Sequence, residues 1–342
     1  MNTKTLHYSP FSTLPIEITV RALDKSVESE FNEFIVPFQM SDAPLWRIKI
    51  LVGEDGGHMF MDFHHLIFDG TSLAVFMGNL YSAYCGKNLH KDCFFDYAQQ
   101  LSTDCIESKK NISLDGWTFL PFPKCSKSNK MHFCTTRYNT SLSKNDVNIV
   151  ENKSGISMNV LALAATGMAM AECTSKKNVA VNWLYDNRTS SDIRYSFGAF
   201  IKMFTIFLEL EGKSYADILQ DVRNQVDLSI AGITAEYIND DVYYGRDPIL
   251  INNLTGMSLD TNKCPFGIQR LDFPYCIKEM IEYLDVELFY RNNVLCFNIA
   301  YGSRGDVEDI IAFFADKFMS CLKSYFEFSN ENIFGETKTI LA

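Results

Sequence analysis

The apolar and polar positions of this chain change period several times, and each change marks an element. Residues 43–51 alternate, which predicts a strand with Trp46, Ile48 and Ile50 inward. Residues 54–57, Glu-Asp-Gly-Gly, are a hairpin signal. A second alternating tract runs on to His65. Met59, Met61, Phe63 and His65 fall on one face of it, and Phe60, Asp62 and His64 on the other, because strand side chains alternate. On that reading the two adjacent histidines point opposite ways, with His65 among apolar side chains. Asp69 and Gly70 then predict a turn. Beyond it the period lengthens to that of a helix over 72–85, with Leu73, Phe76, Met77, Leu80, Tyr81 and Tyr84 on one stripe.

The same patterning organises the rest. Residues 13–21 read as a short strand. Ser26 caps a helix carrying Val27, Phe31, Phe34 and Ile35, which Pro37 ends. Residues 103–130 are polar and irregular, with Pro121, Pro123 and a Lys/Ser cluster, and are read as the connection between two lobes, 1–125 and 126–342. The second lobe opens with a strand from 131 to 138 and a helix starting near Ser143. A segment that is apolar all round follows at 156–173, a buried helix. Further strands are predicted at 179–184, 197–206, 281–290 and 294–301. Helices are predicted after the capping pair Ser214 and Asp217 and after Asp306. Alternating strands and helices of this kind define a mixed α/β (α+β) fold class.

Composition narrows the function. A chain of 342 residues buries a sizeable core. The net charge of −11 argues against nucleic acid as partner. No apolar run reaches the roughly 18 residues of a membrane span, and the first twenty residues lack the features of a signal peptide. The ten cysteines are scattered singly, without metal-ligand spacing, and read as reduced thiols of a cytoplasmic protein, so no metal is expected. No Gly-rich phosphate loop and no nucleophile elbow is present.

The chemistry concentrates at 64–72. A pair of histidines, a carboxylate at Asp69 and a helix start with its free N–H groups bring together a base near neutral pH, an orienting charge and oxyanion donors. An ordinary core histidine is the bland alternative for His65. His64, His65, Asp69 and Gly70 fit the HHxxxDG signature, followed by Ser72, and this stretch resembles the condensation domains of nonribosomal peptide synthetases, members of the chloramphenicol acetyltransferase-like superfamily. Asp96, Tyr97 and Ala98 are similar to that family's Tyr-x-Asp-Tyr-Ala stretch. Asp186, Asn187 and Arg188 and the run from Phe197 to Ile206 resemble its Gly-Arg-Asn-Arg loop and Gly-Phe-Phe-Val-Asn-Thr strand. The Gln-Asp-x-Pro-Phe-Glu motif is not found near 232–248, and the chain starts after the segment in which the family carries its first strand and helix.

The resemblance implies two chloramphenicol acetyltransferase-like lobes in a V-shaped pseudo-dimer with a central tunnel. It implies an acyltransferase that joins a carrier-bound acyl or peptidyl thioester to a carrier-bound aminoacyl amine. His65 and Gly70 would be catalytic, the histidine as base and the glycine as an N–H donor. His64 would hold the loop, and Asp69 would pair with Arg188 as structural support. Ser72 would cap the helix and is the candidate substrate contact. No cofactor would be bound; substrates would ride on the 4′-phosphopantetheine of donor and acceptor peptidyl carrier proteins beside adenylation domains. The alternatives are a stand-alone or coenzyme A-dependent acyltransferase of the same superfamily and a non-catalytic docking module. An epimerase is disfavoured because the glutamate of that subtype is not apparent.

Overall fold

The computed structural model describes residues 19–22, 25–39, 44–53, 56–104, 114–123, 132–231, 249–256 and 282–333. The strand start expected at 13–18, the Lys/Ser cluster at 124–130, the boundary expected at 125/126, the polar tract 232–248, and Cys105, Cys125, Cys264 and Cys276 lie outside them. The chain divides into two compact units, Met1–Gln99 with Arg188–Phe200, and Gln100–Asn187 with Ile201–Ala342.

In the first unit, β1 (Thr19–Ala22), β2 (Trp46–Gly53) and β3 (Gly56–Phe63) form a sheet in the order β1-β2-β3, parallel then antiparallel. Helix α1 (Val27–Phe34) starts at Ser26, whose side chain accepts the N–H of Ser29. The helix covers the face of the sheet that carries Leu51 and Phe60. Those two residues and Phe34 are buried, and the Phe31 and Phe34 rings lie 5.6 and 5.7 Å from that of Phe60. Lys49 points to the same side and pairs with the fully buried Glu30. This corrects the inward face expected for β2. Trp46, Ile48 and Ile50 are only half-buried, whereas Leu51, of opposite parity, is completely covered. The reason is that a buried ion pair lets the side with two basic residues become the covered one. Helix α2 (Gly70–Tyr84) and the first residues of α3 (Phe94–Asp104), up to Gln99, also belong to this unit.

The second unit is built on six strands, β4 (His132–Ser143), β5 (Asn178–Asp186), β6 (Ile201–Glu209), β7 (Ile249–Asn253), β8 (Tyr283–Arg291) and β9 (Val294–Ser303), in the order β4-β9-β8-β7-β5-β6. Its central pairs, β8/β7 and β7/β5, are parallel, and the outer ones are antiparallel. Val181, Trp183, Ile206, Ile251, Val286 and Phe297 project from one face into a single core. Helices α4 (Lys144–Ser154), α5 (Met158–Thr174), α6 (Tyr215–Ile230) and α7 (Glu308–Ile333) supply the rest of that core. Twelve residues of α5 are buried, which is why its sequence is apolar on every side. Gly167 of α5 fits because a Cβ there would come within 2.6 Å of the Leu208 side chain. Ser143 with Asp146, and Ser214 with Asp217, form complete capping boxes at the starts of α4 and α6. The opposite face of the sheet carries polar pairs among apolar residues such as Met203 and Phe207. Asn298 donates to Glu287 at 3.0 Å and accepts from Arg137 at 3.2 Å, and Thr205 donates to Asn182 at 2.8 Å. No single helix among the described residues is long and apolar enough to cross a membrane.

Candidate active site

Strand β3 ends at Phe63, two residues earlier than the alternation predicts. His64 still donates its backbone N–H to the carbonyl of Leu45, at 2.9 Å, but the chain then reverses, with Ile67 N–H returning to the His64 carbonyl at 3.0 Å. The reversal is therefore at 64–67 and not at Asp69 and Gly70, and the two histidines are not set by strand parity. His64 folds back on its own turn. Its Nδ1 accepts the Leu66 N–H at 3.0 Å, a local side-chain-to-backbone bond of the kind that stabilises turns, and its ring lies nearly perpendicular to that of Phe38, the centres 5.8 Å apart. His65 sits at the second position of the turn and is exposed, not placed among apolar side chains.

Asp69 closes the turn and caps α2, its extended backbone (φ −113°, ψ 179°) leaving its carboxylate over the first N–H groups of the helix. Oδ1 accepts from Ser72 N–H at 2.8 Å, and the Ser72 hydroxyl lies 2.7 Å away. So the cap is Asp69 and not Ser72, which stands three residues into the helix. Gly70 opens the helix at its first position, where the N–H has no intrahelical acceptor.

Arg188 meets this cap with a two-pronged ion pair. Its Nη1 donates to Asp69 Oδ2 at 3.0 Å and its Nη2 to Oδ1 at 2.9 Å, with side-chain exposures of 3 % and 0 %. Its Nε donates to the Ser196 carbonyl at 3.2 Å, and the guanidinium lies over the Phe200 ring, 4.1 Å from its centre. Phe200 N–H adds a 2.9 Å bond to Oδ2. Burial alone would raise the Asp69 carboxyl. The hydrogen bonds from Arg188 and Ser72, the Arg188 charge and the Phe200 N–H outweigh it and hold the group below the ordinary 3.8.

Ser72 is fully buried in this clamp. Its Oγ accepts from Gly198 N–H at 2.8 Å and from Arg188 Nη2 at 3.0 Å. Its single proton serves either Asp69 or the Gly198 carbonyl at 2.9 Å. That places Ser72 inside the fold, not on a surface a substrate reaches. Further bonds hold the 188–200 segment to this unit. Ser196 Oγ accepts the Cys93 N–H at 2.7 Å, and Phe200 packs on Phe94 and Tyr97. Gly198 lies so close to Phe94 that a Cβ would sit 2.2 Å from the ring. The partners that the sequence alone did not reveal are Ser196, the Gly198 backbone and the Phe200 N–H. Only the Gly198 position in the strand-like motif hinted at them.

Chemically, the first unit thus presents an imidazole on an exposed turn whose far end is fixed by a buried, neutralised carboxylate. The Condensation domain family profile matches residues 5–231, two thirds of the chain. Bacitracin synthase 1 of Bacillus licheniformis is 25 % identical over 217 residues, 58 % of this chain and 4 % of that protein. Tyrocidine synthase 3 of Brevibacillus parabrevis is 41 % identical over 81 residues, 23 % of this chain and 1 % of that one. The chain therefore spans a small part of the curated relatives it matches. In structure it is similar to the epimerization domain from the third module of tyrocidine synthetase B, with TM-score 0.61 and 18 % identity over 91 % of this chain and 80 % of that one. It is also similar to a condensation domain that acts in chain release from the enacyloxin polyketide synthase, with TM-score 0.63 and 14 % identity over 96 % and 70 %. The fold is that of the chloramphenicol acetyltransferase-like condensation domains. The chain belongs to the condensation domain family.

Proposed function

We propose that this chain forms an amide bond between an acyl or peptidyl thioester on one carrier protein and the amine of an aminoacyl thioester on another. The single observation that carries the reading is the exposed His65 on a turn locked at its far end by the Asp69–Ser72–Arg188 clamp. A general base gives about 10²–10⁴-fold only when it is held in place, and the clamp supplies that holding without taking part in chemistry. The acceptor amine attacks the thioester carbonyl. A carbon–nitrogen bond forms, the carbon–sulfur bond breaks, and the donor carrier's pantetheine thiol leaves. His65 takes the proton of the attacking amine and returns it to the leaving thiolate. Gly70, as the first residue of α2, offers its N–H to the carbonyl oxygen as charge develops there. His64 shapes the turn, and Asp69 and Arg188 hold the helix start.

The test is a transfer assay with two loaded carrier proteins, read by intact-protein mass spectrometry. His65→Ala is expected to lose at least about 10²-fold in rate while keeping the wild-type melting curve, since an exposed side chain contributes little to the core. Unchanged turnover in the variant would remove His65 from the mechanism. Transfer from free acyl-coenzyme A at the carrier-dependent rate would replace the donor carrier with coenzyme A.

A further inference from the structure

A second set of contacts, on the strand side of the turn, is not used by the clamp. Arg47 of β2 stands opposite Asp62 of β3 in the register. Its Nε lies 3.1 Å from Asp62 Oδ2, the two side chains being 21 % and 22 % exposed. Its Nη2 donates to the carbonyl of Val36 at 2.6 Å, and its guanidinium stacks on Phe38, 3.9 Å from the ring centre. The Phe38 ring in turn packs nearly perpendicular to the His64 ring, their centres 5.8 Å apart. Burial raises the Asp62 carboxyl above its ordinary 3.8, and the Arg47 charge beside it offsets only part of that rise. Arg47 is thus the fixed point of a short chain. Its Nη2 holds the Val36 carbonyl, its face lies on Phe38 and its charge sits beside Asp62, Phe38 packs against His64, and His64 Nδ1 holds the Leu66 N–H.

On the reading of His65 given above, we propose that Arg47, with Phe38 and Asp62, is a positioning residue that fixes the His64 ring and through it the orientation of the turn carrying His65. Arginine suits the task because its planar group donates to the Val36 carbonyl and keeps its charge beside Asp62 while its face stacks on an aromatic ring. Lysine, a single point charge, does neither together. His64 transmits the restraint because a ring seated on Phe38 has its Nδ1 aimed back at the turn's own N–H. An acceptor at that place can equally be an asparagine side chain, which makes the same kind of local turn bond.

The test reads the turn itself as well as turnover. Hydrogen exchange of the Leu66 amide reports the bond to His64 Nδ1. Arg47→Met and Phe38→Ala are expected to speed Leu66 exchange by about tenfold or more, as loss of roughly 1.4 kcal/mol of local protection does. Amides of α2 and β3 should exchange as before. His64→Leu should do the same, and His64→Asn should keep the protection. In the two-carrier assay the same variants should lower kcat with KM unchanged, and His64→Asn should recover most of it. Unchanged Leu66 exchange in Arg47→Met would overturn the proposal. So would faster exchange throughout α1, β2 and β3, which would make Arg47 a folding residue only. A wild-type chain without turnover on any carrier pair would refute the condensation reading, while Leu66 exchange would still decide whether Arg47 sets the turn.

Discussion

Removing Arg188 is the sharpest probe of the clamp. In Arg188→Ala the Asp69 carboxylate, with its side chain fully buried, keeps Ser72 N–H at 2.8 Å, the Ser72 hydroxyl at 2.7 Å and Phe200 N–H at 2.9 Å, but loses both guanidinium bonds and its only ion-pair partner among the described residues. An uncompensated buried charge of this kind costs about 3–5 kcal/mol. Arg188→Lys restores the charge without the fork and should lose about 1.5–3 kcal/mol, the worth of one charge-assisted bond. Asp69→Asn keeps a competent helix cap while removing the charge, so the cycle of Asp69→Asn with Arg188→Ala isolates the pair, and a coupling of about 2–3 kcal/mol is expected. The pH dependence supplies an independent sign. In the wild type the Asp69 carboxyl is held below 3.8, so its contribution is complete above pH 3.8 and lost as pH falls through the native value. In Arg188→Ala burial dominates, the native carboxyl titrates above 3.8, and the contribution becomes a destabilisation that grows as pH rises past 3.8. Urea-dependent hydrogen exchange of the α2 amides between pH 3 and pH 6 measures both. Additivity within about 0.5 kcal/mol, or the same pH slope in wild type and variant, would refute the argument.

Three other variants test separate parts of the structure. Gly198→Ala drives a Cβ to 2.2 Å from the Phe94 ring and should cost about 1–3 kcal/mol in urea unfolding, part of it recovered by adding Phe94→Leu. Burial first, and Glu287 beside it second, push the Asp285 carboxyl up to about 7. The native state therefore binds the extra proton between pH 3.8 and about 7, and stability falls as pH rises across that window. Asp285→Asn should remove the slope and, at about 1.4 kcal/mol per pH unit, gain at most about 4 kcal/mol at pH 8; a variant no more stable than wild type at pH 8 would contradict this. Ser214→Ala removes the α6 capping box and should lower the urea midpoint by the equivalent of about 0.5–2 kcal/mol.

What the chain discloses about itself depends on whether the information is periodic. The second unit was legible because β5, β6, β8 and β9 and helices α4 and α6 each have one face in a large core, while α5 is buried on every side, and the patterns carry this openly. In the first unit parity misleads at β2. Lys49 can be covered because Glu30 of α1 neutralises it, and a residue pair from different elements leaves no local mark in the sequence. The early end of β3 has the same origin. Alternation continues through His65, but the turn is decided by an imidazole taking a backbone N–H two residues on, which outweighs another rung of the ladder.

The clamp shows the limit from the other side. Asp69, Ser72 and Arg188 are polar residues at positions where side chains carry a recognisable motif, and the structure brings all three within 3.0 Å of one another. Besides the Phe200 ring under Arg188, their partners include the Ser196 carbonyl, the Gly198 carbonyl and N–H, and the Phe200 N–H. Every residue but proline carries such backbone groups, so no residue identity can announce them. Only their consequence is written in the sequence, as a glycine at 198 where a side chain would strike Phe94. The buried carboxylate is thus tuned chiefly by one charged side chain that sequence can name, and completed by backbone that it cannot. That is why the pair with Arg188 is the first contact to perturb.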